Sequence, residues 1–154
     1  MAATLKLTLL LVLVAGPAAA GWLPTIDTIT NRSVSDHTCR GNAHAAVEDV
    51  FGNIHVVWRG ADAGVQQVWY SRLAVAADTW STDIVISAGG PAATDPAIAA
   101  DSSGNVLVVW IGGSSIRARR RLATGEWEGI DSAAGFPGDS SVSVAFDARG
   151  TAHI

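Results

Sequence analysis

The sequence predicts an all-β chain built from a repeated four-stranded unit, and three observations predict it. The words "DVFGNIHVVW" at residues 49–58 return as "DSSGNVLVVW" at 101–110 and begin again as "DARGTAHI" at 147–154. Two turns centred on tryptophan, "ADTW" at 77–80 and "TGEW" at 124–127, repeat at a spacing of 47 residues. After residue 21 no stretch carries a helical period, and short apolar runs are punctuated by Gly, Asp and Asn.

Residues 1–20 are set apart from the fold. Lys6 gives a positive start, "LTLLLVLVAG" (7–16) is apolar, and "PAAA" (17–20) supplies small residues before Gly21. This is the pattern of a secretory signal peptide, and the apolar run is about half of the ~20 residues a membrane helix needs. The expected location is secreted or periplasmic, with no membrane span once the signal is removed. Residues 21–42 form an N-terminal segment, expected to supply an outer strand of a preceding or closing unit. It holds "NRS" (31–33), which fits a glycosylation sequon, and Cys39, the single cysteine. One cysteine excludes an internal disulfide; it leaves a buried thiol or an intermolecular pair. From Gly21 onward nine arginines and no lysine stand against fourteen acidic residues, a formal charge of −5. That balance argues against nucleic-acid binding, which needs basic residues to neutralise phosphate.

The repeat sets the remaining boundaries at 43–94, 95–140 and 141–154. Asp49, Asp101 and Asp147 are spaced by 52 and 46 residues; Gly52, Gly104 and Gly150 each follow by three. The first strand of each unit is "HAAVED" (44–49), "PAIAAD" (96–101) or "SVAFD" (143–147). The Asp-x-x-Gly turn follows, since Asp bonds to amides ahead of it and Gly tolerates left-handed backbone. The second strand, "IHVVW" or "VLVVW", ends at Trp58 or Trp110 and is apolar on both faces, as a strand between two layers must be. The third, "VWYSRL" or "IRARRRL", alternates. The fourth starts at Trp80 or Trp127; in the first unit it is expected to run through "WSTDIVIS" (80–87). Four strands per ~50 residues is the signature of a β-propeller blade. The fold expected is therefore an incomplete β-propeller: two complete four-stranded blades with partial blades at the ends. The 134 residues from Gly21 amount to about 2.7 units, against ~4–8 blades in a closed ring. The third unit stops at Ile154, inside its second strand, so the chain reads as a fragment of a longer protein. Further C-terminal blades or self-association would be needed for closure.

"DPAIAADSSGNVLVVW" followed by "IRARRRLATGEW" resembles the repeats of secreted bacterial sialidase-like β-propellers, over residues ~43–154. The family's Asp box, S-x-D-x-G-x-x-W, is eroded here. "AADTW" (76–80) keeps the Asp and Trp, and "ATGEW" (123–127) keeps the Gly and Trp. The resemblance implies a site of three convergent arginines, a Tyr–Glu nucleophile pair and an Asp acid. This chain has one tyrosine, Tyr70, and no Glu recognisable as its partner, so no catalytic residue is carried over. Arg117, Arg119 and Arg121 alternate along one strand, ~7 Å apart, and make a ridge expected to be a solvated outer strand. His55 and His153 share a repeat position that Leu107 holds in the middle unit, a repeat feature rather than a metal site. His44 and Glu48 fall on one face of the first strand and are the candidate channel-lining residues. No cofactor or metal is implied. The expected function is a non-catalytic binding or interaction module for carbohydrate or cell-surface protein. The alternative is part of an exo-α-sialidase-like hydrolase whose catalytic residues lie on other blades.

Overall fold

A computed structural model describes residue 29, residues 36–37, 44–135 and 141–154, with only the backbone of 36–37 and 133–135. Residues 1–20, expected to be a signal peptide, and the sequon and Cys39 lie outside the described residues. All regular structure among those described is β, in antiparallel pairs. The first sheet is a meander. β2 (Ala46–Glu48) pairs with β3 (Ile54–Asp62), β3 with β4 (Val65–Ala74), and β4 with β5 (Thr79–Trp80) and β6 (Ile84–Val85). β1 (Asp36–His37) pairs with Arg59 and Gly60 of β3, on the same edge as β2. The second sheet repeats this order with β7 (Ala93–Ala100), β8 (Val106–Gly112), β9 (Ser115–Arg121) and β10 (Trp127–Gly135). β11 (Ala145–Phe146) and β12 (Ala152–His153) form a hairpin that begins a third unit.

The expected fourth strand of the first unit is not continuous. It breaks between Trp80 and Ile84 because side chains take over the ladder there. Ser71 Oγ donates to the Ser81 carbonyl at 3.0 Å, and the Arg72 amide donates to Ser81 Oγ at 3.0 Å. Ile86 then rejoins the sheet through its amide to the Val68 carbonyl at 2.9 Å.

The second sheet is the middle layer. Val106, Val108 and Trp110 of β8 pack against Val57, Val68, Tyr70 and Ile86 of the first sheet. The alternate residues of the same sheet, Ala97, Ala99 and Val109, pack against Val142 and Val144 of the third unit. A strand apolar on both faces thus finds an apolar layer on each side, as its sequence required. The first strands of successive units are neighbours: β7 lies beside β2, and β11 beside β7. The Ile98 amide donates to the His44 carbonyl at 3.0 Å across the first of these junctions.

Candidate functional site

Each unit turns from its first strand into its second through Asp-x-x-Gly, and the three turns share one geometry. Asp49 Oδ1 accepts the Phe51 and Asn53 amides at 2.8 and 2.9 Å. Asp101 Oδ1 accepts those of Ser103 and Asn105 at 2.8 and 2.9 Å. Asp147 Oδ1 accepts those of Arg149 and Thr151, both at 2.9 Å. The amides of Gly52, Gly104 and Gly150 close each turn onto the Asp carbonyl, with φ of +82°, +82° and +78°.

The second carboxylate oxygen is where the units differ. Asp49 Oδ2 takes His55 Nε2 at 3.0 Å, and Asp147 Oδ2 takes His153 Nε2 at 3.3 Å. Leu107 replaces the histidine in the middle unit, and there Arg120 Nη2 donates to Asp101 Oδ2 at 3.3 Å. Arg120 is the cross-strand partner of Leu107, as Arg72 is of His55. Losing the histidine therefore lets the arginine on the neighbouring strand reach the same carboxylate.

In the first unit this network runs deeper. His55 is fully buried, and its Nδ1 lies 2.7 Å from the Tyr70 hydroxyl. Burial pushes the Asp49 carboxyl up, but bonds from Asn53, His55 and the Asn53 and Phe51 amides outweigh it and hold it at about 2. Burial draws the His55 ring below its ordinary 6.5 despite Asp49, with Arg121 and Arg72 adding to the fall. An ionised Asp49 can only accept, so a neutral His55 donates from Nε2 and accepts the Tyr70 O–H at Nδ1. Burial pushes the Tyr70 phenol up to about 12, against the charges of Arg121 and Arg72. Tyr70 is 3% exposed and meets the Trp127 indole edge-on at 4.9 Å between centroids. Chemically the chain Tyr70–His55–Asp49 holds a proton in place; it does not present a nucleophile to solvent.

The arginine ridge is not a solvated outer strand. β9 is the third of four strands, its arginines are half-buried, and Arg119 and Arg121 lie against the first sheet. Arg119 donates from Nη1 to the Ile86 carbonyl at 3.1 Å and from Nε to the Glu128 carbonyl at 2.8 Å. Its guanidinium lies 5.6 Å from the Trp127 ring, and that of Arg121 lies 6.0 Å from the Tyr70 ring. The long stems fill the inter-sheet layer while the charged heads find carbonyls and aromatic faces.

His44 and Glu48 are both exposed, on alternate residues of the first-strand segment, and His44 sits at the junction with β7. Trp58 and Trp110 are buried at the fifth position of β3 and β8; both strands run on past the Trp expected to end them, to Asp62 and Gly112. Trp80 and Trp127 are half-buried opposite Leu73 and Arg121, the same register in both sheets. A cavity of about 290 Å³ opens between Ala118, Arg120, Glu128 and Asp131 of the second sheet and Phe146 and Ala152 of the hairpin. No group of His, Cys, Asp and Glu among the described residues is placed to hold a metal ion. No helix among them is long and apolar enough to cross a membrane. The Tyr70–His55–Asp49 network escaped sequence reasoning, although the shared six-residue spacing of Asp49–His55 and Asp147–His153 signals half of it.

No protein-family model, curated protein or solved structure matches this chain.

Proposed function

We propose that the chain is a secreted, non-catalytic interaction module whose sheets are blades of a sialidase-like β-propeller. The observation that carries the reading is the stacking order. Successive meanders lie face to face with their first strands adjacent, and the same Asp turn recurs in three units. A propeller ring takes ~4–8 blades, so the three units form an arc, closed by further units on one chain or on several. The exposed His44 and Glu48 lie on the first strand, the strand that faces the axis of such a ring.

Tyr70, the single tyrosine, supports the non-catalytic reading of this chain. It is buried, donates a hydrogen bond to His55 and is raised to about 12, the opposite of an activated nucleophile. The test pairs turnover with binding. Purified chain is incubated with a fluorogenic α-sialoside and, separately, passed over immobilised glycans and cell-surface protein extracts. The expected result is no fluorophore release, with saturable retention on a ligand that a His44→Ala/Glu48→Ala variant weakens. Sialoside turnover abolished by Tyr70→Phe would overturn the reading.

A further inference from the structure

Two turns at one end of the first unit are apolar at their tips. The β2–β3 turn carries Val50 and Phe51, 60% and 64% exposed. The β4–β5 turn carries Val75, 51% exposed, followed by the exposed Ala76 and Ala77. In a meander both turns fall at the same end of the sheet, and here they lie together: a Cβ on Gly52 would sit 3.9 Å from Val75 Cγ1. The same turns of the second unit carry Ser102–Ser103 and Ala123–Thr124, and the first turn of the third carries Ala148–Arg149. The second unit is packed on both faces, yet Ser102, Ser103, Ala123 and Thr124 stay exposed. Stacking therefore leaves these tips in solvent even where a unit has neighbours on both sides, and whatever covers the apolar pair comes from outside the stack.

Three features favour lipid over protein as that cover. Val50, Phe51 and Val75 together offer roughly 300 Å² of apolar surface, against about 800 Å² per partner in a stable protein–protein interface. The tips stand beyond the strand ends, so they form a convex surface that suits a fluid medium. Their turn amides are satisfied internally: Phe51 and Asn53 on Asp49 Oδ1, Gly52 on the Asp49 carbonyl, and Ala77 and Asp78 on the carbonyls of Ala74 and Val75. Donors bonded within the turn carry no further desolvation penalty into an apolar medium.

We propose that the Val50–Phe51 and Val75–Ala77 tips are a lipid-binding site, which seats these side chains in the boundary between headgroups and acyl chains of a neutral bilayer. Apolar burial drives the binding. The nearest exposed charges in sequence, Glu48 and Asp78, are acidic, and the chain from Gly21 carries a formal −5, so anionic lipid adds no attraction. The site does not depend on the ligand read for His44 and Glu48, so either idea can fail alone.

The test is flotation of the chain from Gly21, which lacks the apolar stretch 7–16, with phosphatidylcholine vesicles. Saturable partitioning is expected. Val50→Ser/Phe51→Ser, which writes the second unit's turn into the first, should weaken it about tenfold or more, and Val75→Ser by a smaller factor. Ser102→Val/Ser103→Phe, which writes the first unit's turn into the second, should strengthen it. Circular dichroism checks that each variant keeps its β spectrum; should the first double variant lose it, Val75→Ser and the strengthening variant decide. No partitioning, unchanged partitioning in the folded variants, or tighter binding to vesicles that contain phosphatidylserine overturns the proposal. Self-association in light scattering that Val50→Ser/Phe51→Ser abolishes, without vesicle binding, also overturns it and assigns the tips to a second copy.

Discussion

Gly104→Val tests the turn that organises the repeat. Gly104 is buried at φ +82°, where a β-branched residue is strained by roughly 1–3 kcal/mol. A second cost comes from the neighbouring unit. A Cβ at Gly104 would meet the Phe51 ring, 3.0 Å from Cδ2 and 3.3 Å from Cζ, with Cε2 nearer still. Phe51 is 64% exposed, so only about a third of its surface is at stake. Full burial of such a side chain is worth about 1.5–3 kcal/mol, and displacing this ring therefore costs about 0.5–1 kcal/mol. The sum is about 1.5–4 kcal/mol, or roughly 3–16 °C in melting temperature for a chain of this size. The repeat supplies its own control. Gly150 has φ +78° and nothing within 4 Å of a built Cβ, so Gly150→Val should show the backbone cost alone. Phe51→Ala should abolish the extra cost at Gly104 and leave the strain. Thermal melts by circular dichroism measure all four variants. A Gly104→Val melt indistinguishable from wild type would refute the turn assignment; an extra cost that survives Phe51→Ala would refute the contact between units.

Trp110→Ala should cost roughly 3–5 kcal/mol in urea unfolding, because the indole is 1% exposed in the inter-sheet core; a near-neutral effect would contradict that packing. Stability should fall with acid. His55 lies below its unfolded 6.5, so its contribution is complete above pH 6.5 and is lost as pH drops beneath it. Asp49, held at about 2 against 3.8, adds on the order of 2 kcal/mol that is lost between those values. Urea midpoints that rise between pH 7 and 5 would refute this sign. His55→Leu copies the middle unit: Arg72 should move to Asp49, while the Tyr70 hydroxyl is orphaned at a cost of about 1–3 kcal/mol. Adding Tyr70→Phe should recover most of that cost, and additive unfolding energies for the two changes would contradict the network.

What sequence reading recovers here is what local chemistry dictates. The Asp-x-x-Gly turns were legible because Asp, Asn and Gly each have one use at those offsets. The burial of β8 on both faces was legible because Val106–Trp110 has no polar face. Contacts that need register between distant strands were not legible. Tyr70 meets His55 only because β3 and β4 pair in register from Ile54–Leu73 to Asp62–Val65, fifteen residues of separation closed by a two-residue turn. The arginines of β9 alternate as read, but which face meets the first sheet depends on the handedness of stacking, and no single unit encodes that. The break at Ser81 depends on Ser71 ten residues earlier. The cavity was not legible because its lining comes from β8, β9, β10 and the β11–β12 hairpin, which only the packing of the second sheet on the third unit brings together.

The central claim is that successive repeat units stack sheet upon sheet, and the Tyr70–Trp127 contact tests it most directly. The chain has one tyrosine, so its ring protons are assigned without ambiguity in a nuclear Overhauser spectrum. The geometry, 4.9 Å between centroids at 89°, predicts strong cross-peaks from the Tyr70 ring to the Trp127 indole and ring-current shifts on the tyrosine protons that vanish in Trp127→Leu. Phe51 ring protons should likewise show cross-peaks to the Gly104 α-protons. Cross-peaks confined to partners within each unit, with none between residues 44–87 and 93–135, would contradict the stacked arrangement and the propeller reading built on it.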